Sequence, residues 1–217
     1  MSLPVPQSLP DFTRMFPDEE SAVRYLTKLR WPDGDPCGCG GAQLSFYEGG
    51  RVIYCATCKR KVSLTAGTIM HKSKMPIRLW FFGIYLVTSL TPGISAVQLA
   101  HQISISVDRA FQMLHKIRAA MVNPDRERLK GVVEADETYV GGVQHGGKGG
   151  RSTEGRTVVL GAVEVREREA GGHRAGRVRL RVAPGARQVD IDPFFRDNVT
   201  RGAVVLTDGW EGYRHLR

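Results

Sequence analysis

At 217 residues the chain can hold one large domain or several small ones, and its composition, 41% hydrophobic and 24% charged, is that of a folded protein. Lys and Arg number 31 against 22 Asp and Glu, leaving a net charge of +9 and a pI near 9.7. Such an excess points to a polyanionic partner, nucleic acid first, with a generally basic solvated surface as the plain alternative. The longest apolar run, Leu79 to Val87, is too short to cross a bilayer, and the first residues show no basic region ahead of an apolar core. A membrane or secreted protein is therefore not expected, and the cytoplasm is.

The first signal along the chain is its cysteines. All four lie in one window, Cys37-Gly38-Cys39 and Cys55-Ala56-Thr57-Cys58. Between them stand two strand-like runs, Leu44-Ser45-Phe46-Tyr47 and Arg51-Val52-Ile53-Tyr54. Two close thiol pairs around a short hairpin predict a zinc ribbon, four thiolates around one structural Zn²⁺, since a complete thiolate shell leaves no open position for substrate. Disulfides need an oxidising compartment that nothing here indicates. The first pair has a single intervening residue where a knuckle ordinarily has two; Gly38 and Gly40 supply the freedom for a tighter turn. Lys59-Arg60-Lys61 follows the second pair and would give the ribbon a basic edge.

Pro76 suits the first turn of a helix whose apolar face is Trp80, Phe81, Ile84, Tyr85 and Val87. After Thr91-Pro92-Gly93, Ser95 and Gln98 read as a capping box opening a short helix to about Gln102. A turn at Ile103-Ser104-Ile105-Ser106 leads to a second helix with Ala110, Met113, Leu114, Ile117 and Met121 at helical spacing. Two helices about a tight turn, the second presenting Arg109, Gln112 and Lys116, read as a helix-turn-helix or as an ordinary helical hairpin; the basic charge favours the former.

Beyond the break at Asn123-Pro124-Asp125 the pattern turns to strands. Val132-Val133-Glu134-Ala135-Asp136 and Val204-Val205-Leu206-Thr207-Asp208 are apolar runs that deliver an acid near a glycine-containing turn. Either alone is as well explained by Asp starting a turn. Together they fit a pair of oxygen ligands for a divalent cation at the rim of a sheet. Between them Thr157 to Glu164 reads as a second strand. Val178-Arg179-Leu180-Arg181-Val182 reads as a third with its basic side solvated, and Asp192-Pro193 as the start of a helix. Gly142 to Lys148 fits G-x-x-x-x-G-K, but Gly149 stands where a phosphate loop needs Ser or Thr. A glycine-rich loop with Lys148 and Arg151, able to order on nucleic acid, is the better reading. The histidines show no metal-ligand spacing.

These residues resemble a known family. Trp31-Pro32-Asp33-Gly34 and the ribbon are followed by Gly67-Thr68-Ile69, Trp80-Phe81, Gln98-Leu99-Ala100 and Ile117-Arg118. Then come Asp136-Glu137-Thr138-Tyr139-Val140-Gly141-Gly142 and Thr207-Asp208-Gly209-Trp210-Glu211-Gly212-Tyr213. The order is similar to bacterial insertion-sequence transposases of the ISXO-like group, from about Asp11 to the last residue. The resemblance implies a multidomain α+β protein: a zinc ribbon over 11–70, a helical region with helix-turn-helix over 71–124, and a ribonuclease-H-like catalytic domain over 131–217. It also implies that Asp136 and Asp208 are the first two members of a catalytic DDE triad using Mg²⁺ or Mn²⁺. Double-stranded DNA would lie on Arg109, Gln112, Lys116, Lys59, Arg60, Lys61, Lys148 and Arg151, bound by a dimer or higher oligomer at the nucleoid. The family's third acid lies downstream of the second motif, and this sequence stops at Arg217. The expectation is thus a catalytic domain incomplete at its C-terminus, or, alternatively, a DNA-binding regulator without catalysis.

Overall fold

The apolar residues gather into two cores, one in each of two compact units, Met1–Asn123 and Pro124–Arg217. The computed structural model describes residues 3–41, 43–122, 126–141, 156–169 and 171–216. In the first unit α1 (Leu9–Met15) and α2 (Glu19–Arg30) precede an antiparallel sheet of β1 (Leu44–Tyr47), β2 (Val52–Cys55) and β3 (Lys61–Ser63). Three helices follow: α3 (Ile77–Ser89), α4 (Ala96–Ile103) and α5 (Val107–Ala120). Phe12, Phe16, Ile53, Leu64, Trp80, Leu99 and Met113 belong to one cluster, so the ribbon strands and the helices bury a common core.

Side-chain oxygens start most of these helices. Ser8, Ser95 and Ser106 cap α1, α4 and α5, and Asp18 forms a reciprocal box with Ser21 on α2. α3 starts at Pro76, which has no capping oxygen. Glu19 of α2 fills the gap, its carboxylate accepting from the N–H groups of Ile77 at 2.7 Å and Arg78 at 2.9 Å. A negative charge there satisfies free donors and opposes the helix dipole, and in this position it also ties α2 to α3.

The second unit is a four-stranded sheet in the order β6-β5-β4-β7, made of β4 (Val132–Val140), β5 (Thr157–Glu167), β6 (His173–Ala183) and β7 (Val204–Leu206). Consecutive strands from β4 to β6 pair antiparallel, and β7 returns parallel to β4 after the crossover helix α6 (Gln188–Asn198). Ile191, Phe194 and Phe195 of α6 share a core with Val133, Ala135, Leu160 and Ala162. The helix begins ahead of Asp192, so Pro193 lies inside it rather than in its first turn. Asp190 is the residue that answers the N-terminus, accepting from the Arg187 N–H at 3.2 Å. Burial of Ile191 and Phe194 outweighs the hydrogen bond that proline removes.

The two faces of β6 are the reverse of what its alternation suggests. Leu180 is 64% exposed and Val182 68%, whereas Arg179 is 6% exposed. The cause is Glu164 on β5, itself 4% exposed. Its carboxylate accepts from Arg177 at 2.8 and 3.2 Å, from Arg166 at 3.0 and 3.1 Å, and from the Lys130 N–H at 3.2 Å. Arg181 meets Asp197 of α6 at 2.8 Å, and Arg179 donates to the carbonyls of Val178 and Glu127. A buried acid needs cations on its own side of the sheet, and the arginines follow it there.

Arg177 above all holds the Glu164 carboxyl down at about 2. Glu164→Ala would leave that guanidinium without its main acceptor and is expected to cost about 3 kcal/mol at neutral pH. Because the folded value is depressed, the carboxylate's contribution is fully present above its ordinary value of 4.5 and is lost as pH falls toward about 2. Urea denaturation should therefore separate wild type and variant at neutral pH and bring them together toward the acid end.

Candidate functional site

The four cysteine sulfurs lie within 4.8 Å of one another, with Cys37 and Cys39 3.2 Å apart and Cys39 and Cys55 3.6 Å apart. A tetrahedral zinc with bonds of about 2.3 Å needs sulfurs separated by roughly 3.8 Å, so the cluster fits one ion. Asp35 shapes the short first knuckle. One of its oxygens accepts from the N–H groups of Cys37 at 3.2 Å and Gly38 at 2.8 Å, the other from Gly40 at 2.6 Å. Gly38 (φ 72°) and Gly40 (φ 69°) take the left-handed conformation that the tight turn requires. These donors, Gly40 first, keep the Asp35 carboxyl at about 2.

The Cys58 N–H is the main reason the Cys55 thiol is lowered to about 6, while the Cys39 thiol beside it pushes Cys37 up. Thiolates this close repel one another unless a cation sits among them, and an all-sulfur shell makes that cation structural zinc. Lys59 and Lys61 are exposed at the edge of the ribbon, whereas Arg60 turns back to the Cys37 carbonyl at 3.3 Å.

α4 and α5 are joined by residues 104–106, with Ser104 in the left-handed region (φ 55°). Arg109 and Gln112 are exposed on α5. Lys116 is exposed as well, but its Nζ donates to the His71 carbonyl at 3.1 Å and stands 5.8 Å from the centre of the Trp80 ring. Lys148 and Arg151 lie outside the described residues.

In the second unit Asp136 stands on the open face of β4, and its carboxylate accepts from the Glu137 N–H at 2.8 Å. β4 and β7 run in parallel register from Val132↔Val204 to Glu134↔Leu206, so the next residues of that face are Asp136 and Asp208. The neighbouring Glu137 points to the covered face, as alternation requires, and receives the Tyr213 hydroxyl at 2.9 Å. Burial first, then the Glu137 bond and the charges of Asp136 and Asp208, push the Tyr213 phenol up. One hydroxyl thus feels both acids. Among the described residues, the thiols are the only set of three or more potential ligands close enough to share an ion.

The rest of the second motif is scaffold. Asp208 accepts from the Trp210 N–H at 2.9 Å, and the Trp210 indole donates to the Ala186 carbonyl at 2.9 Å. A Cβ on Gly212 would stand 2.6 Å from that same carbonyl oxygen and 2.8 Å from Ile191 Cδ1. Only glycine lets the turn Glu211–Tyr213 close down on α6.

Comparison with known proteins agrees with this layout. Residues 128–217 match the family model described as ISXO2-like transposase domain, and residues 17–61 match the transposase zinc-ribbon domain. Residues 17–61 and 128–217 thus each resemble a domain of the ISXO2-like transposases. It is also 30% identical over 131 residues to a Halobacterium salinarum protein named "Uncharacterized protein in transposable element ISH50", covering 58% of this chain and 44% of that protein. The chain thus matches less than half the length of this relative. No solved structure matches.

Sequence reasoning missed several residues that shape these ISXO2-like transposase segments. Asp35 is legible in hindsight as an acid two residues before a Cys-Gly-Cys-Gly turn. Tyr213 had a place in the motif but no role, and Glu164 carried no signal, because its main partner Arg177 comes from another strand and a further donor from the Lys130 backbone.

Cys58→Ser should abolish zinc binding and lower the helicity of the first unit, since ribbon and helices share a core, and Asp35→Ala should weaken zinc 10- to 100-fold, roughly the range for an outer-shell partner. Chelator competition with metal analysis measures both. Gly212→Ala should cost about 2 kcal/mol by forcing a methyl against backbone. Tyr213→Phe should cost about as much by removing a bond to a buried carboxylate. Urea denaturation of the two variants checks both values.

Proposed function

We propose that the protein acts as a DDE-type transposase, binding the ends of its insertion sequence and catalysing metal-dependent strand cleavage and transfer. The ribbon (11–70) and helical region (71–124) serve recognition, and 131–217 serves chemistry. The reading rests on the parallel pairing of β4 with β7, with Asp136 on β4 two residues past the last paired position and Asp208 two residues past the end of β7. The order β6-β5-β4-β7, with a helix crossing before β7, agrees with the opening half of a ribonuclease-H-like sheet.

Asp136 and Asp208 are oxygen donors of the type hard divalent cations prefer. Mg²⁺ or Mn²⁺ held there would promote ionisation of the attacking water and neutralise charge on the phosphorus oxygens. The chain's own contribution is positional. The Glu137 and Trp210 N–H groups hold the two carboxylates, and the Tyr213–Glu137 bond keeps the segment after β7 against β4. Water attack on a phosphodiester frees a 3′-hydroxyl, which then attacks target DNA. Arg109 and Gln112 on α5, the second helix of a helix-turn-helix, read base edges. Lys59, Arg60, Lys61, Lys148 and Arg151 serve the phosphates. Two ends brought together imply a dimer or higher on DNA, at the nucleoid.

One observation favours a second reading, a DNA-binding regulator: among the described residues no third ligand joins Asp136 and Asp208. End cleavage of a labelled duplex carrying the element's terminus separates the two. The transposase reading expects Mg²⁺- or Mn²⁺-dependent cleavage, in this chain or in one extended by its downstream sequence, and its loss in Asp136→Ala and Asp208→Ala with duplex binding retained. Cleavage that survives Asp208→Ala overturns the catalytic assignment, and end binding without cleavage in either form supports the regulator.

A further inference from the structure

The first unit contains a cleft of about 490 Å³ between the segment at 72–76 and the start of α5. Lys72, Lys74, Arg109 and Lys116 line it, Trp80 forms part of its wall, and no acidic side chain faces it. Four cations around one concavity repel each other, and a fold keeps them together only where something holds them. Three contacts hold this segment. Lys116 of α5 donates to the His71 carbonyl at 3.1 Å, the Trp80 indole of α3 donates to Ser73 Oγ at 3.1 Å, and Arg51 donates to the Lys74 carbonyl. Lys72 and Lys74 remain exposed, and no described ion pair engages either. The segment is fixed by its backbone while its two ammonium groups stay available.

We propose that this cleft seats the sugar–phosphate backbone of duplex DNA beside α5, with Lys72 and Lys74 as phosphate contacts and Lys116 as the strut that holds them in place. The inference rests on the DNA-binding reading above and adds a surface to it. A concave, acid-free surface with an apolar floor and converging ammonium groups suits a chain of phosphates. It also changes the part played by Lys116. Its Nζ is held by the His71 carbonyl beside the Trp80 ring, so it supports the contact surface instead of reaching for bases.

The test uses the full chain and a short fluorescent duplex of arbitrary sequence, with affinity measured across a salt series. Lys72 has φ 58°, so asparagine, which accepts the left-handed region, replaces it without added strain. The double variant Lys72→Asn, Lys74→Gln should lower the log–log salt slope by about 1.8, which is roughly 60-fold in affinity at about 0.1 M salt. Lys28→Gln, a charge removal on α2 outside the cleft, should leave the slope unchanged. Acylation of lysine amines followed by mass spectrometry should find Lys72 and Lys74 protected by DNA, and Lys116→Met should reduce that protection. An unchanged slope in the double variant, or equal acylation with and without DNA, overturns the cleft while leaving DNA binding elsewhere on the chain. A wild-type affinity that is flat with salt overturns both readings.

Discussion

The carboxylate of Glu164 cannot remain ionised inside the second unit without donors around it, and that need orients the sheet. Arg177 and Arg166 reach it directly, and Arg179 and Arg181 lie on the same side of β6. With the arginines committed to the covered face, Val178, Leu180 and Val182 take the open one. β5 carries the same division across to β4, where Val133, Ala135 and Glu137 are buried and Asp136 stands on the open side. The face taken by the acid proposed for chemistry thus follows from an ion pair between the neighbouring strand β5 and β6 beyond it.

Carboxylates organise the first unit in the same way. Glu19 starts a helix that has no cap of its own, and in doing so fixes α2 to α3. Asp35 gathers three N–H groups of a knuckle that is one residue short. In each case a single side chain from a distant or flanking segment replaces what the local sequence lacks. Fixed donors around an acid cost the fold little further entropy once the surrounding elements have packed.

The second motif joins an exposed acid to residues that pack the turn behind it. Asp208 is exposed, while Trp210, Gly212 and Tyr213 lock the following turn onto α6 and β4. The Tyr213–Glu137 bond is the clearest link between the two acidic motifs, because it joins the covered side of β4 to the residues just past β7. That bond holds the backbone just past Asp208 against the strand that carries Asp136.

The sequence by itself determined the local pieces: four thiols in two close pairs, two helices about a serine-flanked turn, and two apolar runs ending in acids. Each follows from short-range chemistry, namely ligand spacing, capping oxygens and hydrophobic period. The family resemblance was legible for the same reason, because its motifs are contiguous. What only the tertiary structure decided is where partners come from across the chain. Alternation along β6 by itself places the arginines in solvent and the apolar residues inside; Glu164 on the neighbouring strand reverses the two faces. Pro193 marks a helix but not its start, which depends on how Ile191 and Phe194 are buried. Nothing along α5 gives Lys116 a partner, and only the packing of the segment at 71–74 against the helix shows its Nζ donating to the His71 carbonyl. Sequence reports which groups exist; long-range packing determines which of them remain unsatisfied and so available for function.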